Sequence, residues 1–299
     1  MAEVSAAELT TAATQLMRGG NWTVAMNLLG AVATHDRAEQ RALKHTLAEI
    51  AVDQDFWQRT DHASQALHEL ETAIERLPDA TTSNGVDEDA AGRDVDVPAR
   101  PATSRPVTET DLVAEGDRYR WDLGMLRLRK DYATELSADI GPGGRDATTT
   151  RTLAQRVADL RAQAPDDARR GQAAFYAGVI SDNLLDDSET AISHYTAALE
   201  LGERAGDELL ISYAVRHLGY HAYATGDLKL AREQWERSTE LRQKAGHVPG
   251  ALAQQALIVT LIRAEGDTAG TQTLTTEINR WSRQLNIPFL IQETTTPAN

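Results

Sequence analysis

Apolar residues recur along this chain at spacings of three and four, which predicts amphipathic helices almost from end to end. In the first stretch, Leu9, Ala13, Leu16 and Met17 form one stripe and Ala25, Leu28, Leu29 and Val32 a second. Gly19-Gly20 breaks the pattern between them, so a helix to about Met17 and another from Trp22 are expected. Leu43, Leu47 and Ile50, then Ala66, Leu70 and Ile74, give two more stripes. A turn near Asp53–Asp55 is expected between these. From Asp111 the pattern reads as one long helix. "DIGPGGRDAT" reads as a loop, and a helix follows from about Thr149 to Ala162.

One segment carries no such pattern. Pro78–Thr110 holds four of the nine prolines, seven acids and three arginines, and no Leu, Ile, Met, Phe, Trp or Tyr. Such a stretch buries too little apolar surface to offset its ordering entropy. It reads as a flexible acidic linker between residues 1–77, a block of helical hairpins, and residues 111–299. A regulatory or docking role is the alternative reading of the linker.

After residue 171 the pattern repeats. "ELGERAGD" (200–207) aligns with "ELRQKAGH" (240–247), and Ala191 and Tyr195 become Ala231 and Trp235, forty residues later. The turn "DDSETA" becomes "GDLKLA" and then "GDTAGT". Trp281 and Asn286 close the third copy where Leu241 and Gly246 close the second. Each copy is two amphipathic helices around a tight turn, and one hairpin leaves apolar surface exposed, so copies must stack. An all-α superhelical array of helical hairpins is expected, with clear repeats over about 171–286.

Val215, Leu218-Gly219, Ala222, Ala231, Trp235 and Ser238 together resemble the tetratricopeptide repeat. The first copy keeps Gly178, one residue out of register, with Ala191, Tyr195 and Ala198. The third has Thr271 and Thr275 where Ala and an aromatic are expected. The interval of forty looks like the long-helix bacterial variety. The resemblance implies an inner groove that holds an extended peptide or a partner helix. By position it assigns Tyr213, Arg216, Tyr220 and Tyr223 to that groove, joined by Tyr176, Asn183, Thr260 and Arg263 from neighbouring copies.

Composition narrows the chemistry. Forty-five acids against thirty bases give a net charge of −15. That charge repels phosphate backbones and anionic headgroups, so neither nucleic acid nor a membrane is expected as a partner. Cysteine is absent, which removes disulfides, thiolate nucleophiles and cysteine metal sites. No secretory signal or spanning run is evident, so a cytoplasmic location is expected. Four lysines stand among thirty basic residues, a bias that points to a GC-rich bacterial genome.

Catalytic signatures are missing. There is no nucleophile-elbow pattern, and "GPGG" (141–144) lacks the Lys-Ser/Thr of a phosphate loop. His217 and His221 share a helix face at a metal-binding spacing, but no Glu follows the first and no third ligand is evident. Asp166-Asp167 and Asp186-Asp187 read as helix caps. The function expected is therefore a non-enzymatic interaction module without cofactor, a scaffold that binds a protein or peptide segment. Two arginines on an inner face of an acidic chain favour an acidic or carboxylate-ended segment, and self-association is compatible with the pattern. A peptide-responsive regulator is the first alternative. An accessory enzyme subunit with chemistry among His35, His45, His62 and His68 is the other.

Overall fold

The computed structural model describes residues 5–75, 77–78, 108–138 and 145–295. Most of the acidic segment and the "GPGG" stretch lie outside those residues. Among the described residues the structure is all helical, with thirteen helices. In chain order these are α1 (Ala6–Arg18), α2 (Trp22–Gly30), α3 (Arg37–Gln58), α4 (Ala63–Ile74), α5 (Glu109–Ser137), α6 (Ala147–Ala162) and α7 (Asp167–Asn183). Then follow α8 (Ser188–Ala205), α9 (Glu208–Ala224), α10 (Leu228–Lys244), α11 (Val248–Ala264), α12 (Thr268–Gln284) and α13 (Pro288–Thr295). Each helix packs on the next in sequence from α5 onward, so this part of the chain is a stack of antiparallel helical hairpins.

The turns explain the regularity. A residue in the left-handed region recurs at Asp186, Gly206, Gly226, Gly246, Gly266 and Asn286. The spacing is twenty residues, half the interval of the hairpin. Glycine reaches this conformation without strain, and Asp and Asn tolerate it best among the others. The residue after it starts the next helix. Asp187, Asp207, Asp227 and Asp267 each accept a hydrogen bond from the backbone N–H three residues on. Asp166 does the same for α7. His247 is the exception and caps nothing through its side chain.

Close approach within a hairpin depends on two glycines. A Cβ on Gly178 would stand 2.5 Å from the Tyr195 ring, and one on Gly219 would stand 2.6 Å from Trp235. The two glycines play the same part although they are 41 positions apart. The turn before α8 has one residue more than the turn before α10, and that residue absorbs the register shift. Tyr195 and Trp235 are fully buried, at 0% and 1% exposure. The third hairpin reverses the sizes: Val259 stands where Gly219 does, and Thr275 where Trp235 does. The Thr271 and Thr275 hydroxyls are buried without a hydrogen-bond partner. Each such group loses its water without replacement, so this hairpin is held less firmly than the two before it.

The expected turn at Asp53–Asp55 is wrong. Helix α3 runs unbroken through both residues to Gln58, and Arg59 ends it in the left-handed region. Asp55 does mark a helix start, but from inside the preceding helix. Its carboxylate accepts from the backbone N–H of His62 and Ala63 at 2.8 and 2.9 Å, at the entrance of α4.

The first helices meet the last ones. Ala13, Trp22, Ala25, Leu29, Leu43, Ile50 and Trp57 share one buried cluster with Leu252, Ala253, Ile287 and Leu290. Trp57 stacks on Phe289 at 5.6 Å, and Gln58 donates to the Leu285 carbonyl at 2.8 Å. Helices α1–α3 therefore cover the apolar end of the repeat stack that its last copy would otherwise expose.

Candidate functional site

The closed path leaves an interior where α7 and α9 face α3 and α5. An apolar core would fill such a space with Leu and Ile. Here the facing residues are Tyr176 and Tyr213 on one side and Asp53, Glu49 and Arg129 on the other. Tyr176, Tyr213, Arg129 and Asp53 are enclosed yet keep partial exposure. Burial raises the Asp53 pKa against the pull of a hydrogen bond from Trp22 Nε1 at 2.7 Å. Burial also works against the Arg129 charge, but Tyr176, Asp53 and Glu49 outweigh it and keep the guanidinium protonated. Tyr213 is pushed up to about 12 by burial, so its hydroxyl remains a donor.

The eight groove residues do not act as one free stripe. Tyr213 lies under the Arg242 guanidinium at 5.0 Å and beside Phe175 at 5.4 Å. Arg216 reaches the next hairpin, where it donates to the Ala253 carbonyl at 3.1 Å and to Gln254 Oε1 at 3.2 Å. It ties two hairpins together, which spacing along α9 does not reveal. Tyr223 packs against Trp235 at 5.6 Å, on the hairpin interior. Asn183 donates to the Tyr132 hydroxyl at 2.7 Å, and Tyr132 meets Tyr176 edge to face at 5.8 Å. Thr260 is half-buried, while Tyr220 is 49% exposed and Arg263 is exposed. Tyr220 stands two turns beyond Tyr213 on the same face of α9.

The histidine pair has a partner that its spacing could not show. Asp182 on α7 lies 3.2 Å from His221 Nε2 and 4.0 Å from His217 Nδ1, and it also accepts from the Tyr195 hydroxyl at 3.1 Å. His217 stacks on Tyr195 at 4.6 Å. Burial first, then Arg216 and Arg242, holds its pKa well below the ordinary value, so it is neutral. The pair thus bridges α7 and α9. Among the described residues no group of three or more His, Asp or Glu has the arrangement to hold a metal ion.

Two features escaped the reading of the sequence. Arg242 is 3% exposed and has no carboxylate within ion-pair distance among the described residues. It donates to the Gly250 carbonyl at 2.8 Å and contacts Ser212 Oγ at 3.3 Å. Burial, with Arg216 nearby, lowers its pKa to about 9. His247 is 4% exposed, its Nδ1 lacks a partner, and burial beside Arg242 brings its pKa down to about 3. The signal was present in the turn pattern, where His247 is the one break in the Asp series from 187 to 267.

No described helix is long and apolar enough to cross a membrane. No family model matches the chain, and neither does any curated protein. Among solved structures the chain is similar to a Rap protein in complex with competence and sporulation factor, over 97% of this chain and 79% of that one, at 12% identity and a TM-score of 0.49. A likeness at that level carries nothing about ligand or activity.

Proposed function

We propose that this chain is a non-enzymatic binding module that captures a segment of another protein or a peptide in the interior of the helical array. One observation carries the reading: enclosed but partly exposed Tyr176, Tyr213, Arg129 and Asp53, rather than packed aliphatics, come together where α7 and α9 face α3 and α5. Polar groups that converge on an enclosed space hold a ligand's polar groups in place, and tyrosine rings add apolar contact at low entropic cost. An extended backbone offers alternating donors and acceptors to such walls. Residues 1–77 and 111–299 then act as one binding body rather than as separate units. Regulation by ligand is a second reading. It is favoured by the joint of Trp57, Gln58, Leu285 and Phe289, through which a change in curvature would have to pass.

Tyr220 and Arg263 are exposed, so they can be changed without removing a fold contact seen for Arg216. A synthetic peptide array screened with purified protein supplies the ligand. Tyr220→Ala with Arg263→Glu should then weaken the selected peptides by about 2 kcal/mol or more, roughly thirtyfold in Kd. The melting temperature should be unchanged. Unaltered affinity for every selected peptide would place the binding surface elsewhere.

A further inference from the structure

A cavity of about 400 Å³ opens between the C-terminal turn of α10, the start of α11, and α12. Its walls are mostly apolar, from Val248, Ala251, Leu252, Leu274 and Trp281, and Arg242 and His247 line it at the α10–α11 turn. Trp281 is 42% exposed. Glu277 on the α12 side is taken up by Arg280 at 2.8 Å.

Four other turns show what the polar corner lacks. At Asp187, Asp207, Asp227 and Asp267 a carboxylate sits over the first turn of the helix and receives the third N–H. At α11 that carboxylate is missing, and no side chain caps the Gly250 N–H. The imidazole lies over the first turn instead, so close that a Cβ on Gly250 would meet His247 Nδ1 at 2.1 Å. That nitrogen is buried and unpartnered, and the buried Arg242 guanidinium beside it has no carboxylate within ion-pair distance among the described residues, since Glu277 across the cavity is held by Arg280. A helix N-terminus, a cation without a carboxylate and an imidazole nitrogen without a bond converge on one point; in the tautomer with its proton on Nδ1 the imidazole donates, and all three then suit an anion.

We infer that this cavity is a binding site for a monocarboxylate with a small apolar body, its head on Arg242, His247 and the α11 N-terminus, and its body against Leu274 and Trp281. One guanidinium beside a neutral imidazole calls for one negative charge, and the apolar walls exclude a heavily hydrated dianion. The C-terminus of a peptide with an apolar last residue and a free organic acid share this chemistry. The proposal does not rest on the interior groove, although Arg242 lies over the Tyr213 ring that faces it.

The test uses the full chain with three probes: 3-phenylpropionate, an acetylated tripeptide ending in leucine with a free carboxylate, and the same tripeptide as its amide. Binding is read by calorimetry, with the change in intrinsic tryptophan fluorescence as a second signal. Either acid should bind and the amide should not; saturation by the peptide acid only identifies a chain terminus as the ligand. Arg242→Gln should weaken the acid about tenfold or more. His247→Asp supplies the missing carboxylate from the chain itself, so it should keep or raise the melting temperature and abolish probe binding. Tyr220→Ala with Arg263→Glu should leave probe binding unchanged. Failure of both acids to bind, equal binding of acid and amide, or full binding by a folded His247→Asp variant would each overturn the site.

Discussion

Trp235→Ala should cost about 3–5 kcal/mol, the usual range for deleting a fully buried indole. Trp235 is 1% exposed and fills the notch over Gly219 between α9 and α10. Its Nε1 donates to the Arg216 carbonyl at 3.0 Å, a bond between α10 and α9 that the change also removes. Arg216 in turn holds α11, through Ala253 and Gln254. The loss is therefore felt in the third hairpin, which already carries the unsatisfied Thr271 and Thr275 hydroxyls. Denaturant unfolding of the variant should show a lower midpoint. Hydrogen exchange should show α11 and α12 exposed before α7 and α8. A midpoint equal to that of the parent chain would mean that Trp235 does not fill the hairpin interior.

Acid should loosen the protein well above the range where carboxylates titrate. His217 and His247 are both held neutral by burial and by neighbouring arginines. In the unfolded chain both return to an ordinary value near 6.5. Below that pH the unfolded state binds protons that the folded state refuses, so stability falls as the pH drops from about 6.5 toward about 3, where His247 itself titrates. At about pH 5 the loss from His247 is on the order of 2 kcal/mol, and His217 adds to it in the same direction. Asp53, whose pKa burial raises, works in the opposite direction and offsets part of it. Melts of the parent chain and of His247→Gln across this window separate the contributions. The variant should show a shallower slope than the parent chain. Equal slopes in both would show that His247 is protonated in the fold.

How far the fold could be read depends on the range of each interaction. Helices, hairpins and the Gly-Asp turns follow from neighbours in sequence, and so does the burial of Trp235, since Tyr195 stands at the matching place. The contacts that shape the interior join distant segments. Nothing in the periodicity of α3 indicates that Trp57 stacks on Phe289, and so the closing of the stack on its N-terminal helices was not legible. Asp55 misled because a cap for α4 sits inside α3. At the candidate site the helical spacing of Tyr213, Arg216 and Tyr220 was plain. It could not show that Arg216 is engaged by the backbone of α11, or that Tyr223 turns toward Trp235. The twenty-residue recurrence of left-handed turns was visible in Gly206, Gly226, Gly246 and Gly266. It was obscured where Asp186 and Asn286 take the same conformation.

The central claim is that the ligand is a polypeptide segment held on the inner face of α9. Photo-crosslinking tests it most directly. A benzophenone side chain is placed at Tyr220, and in a parallel chain at Glu233, an exposed position on α10. The two proteins are irradiated with the peptides selected by the array. Covalent adducts from position 220, absent from position 233 and competed by unlabelled peptide, are the expected result. Adducts from position 233 with none from position 220 would contradict it.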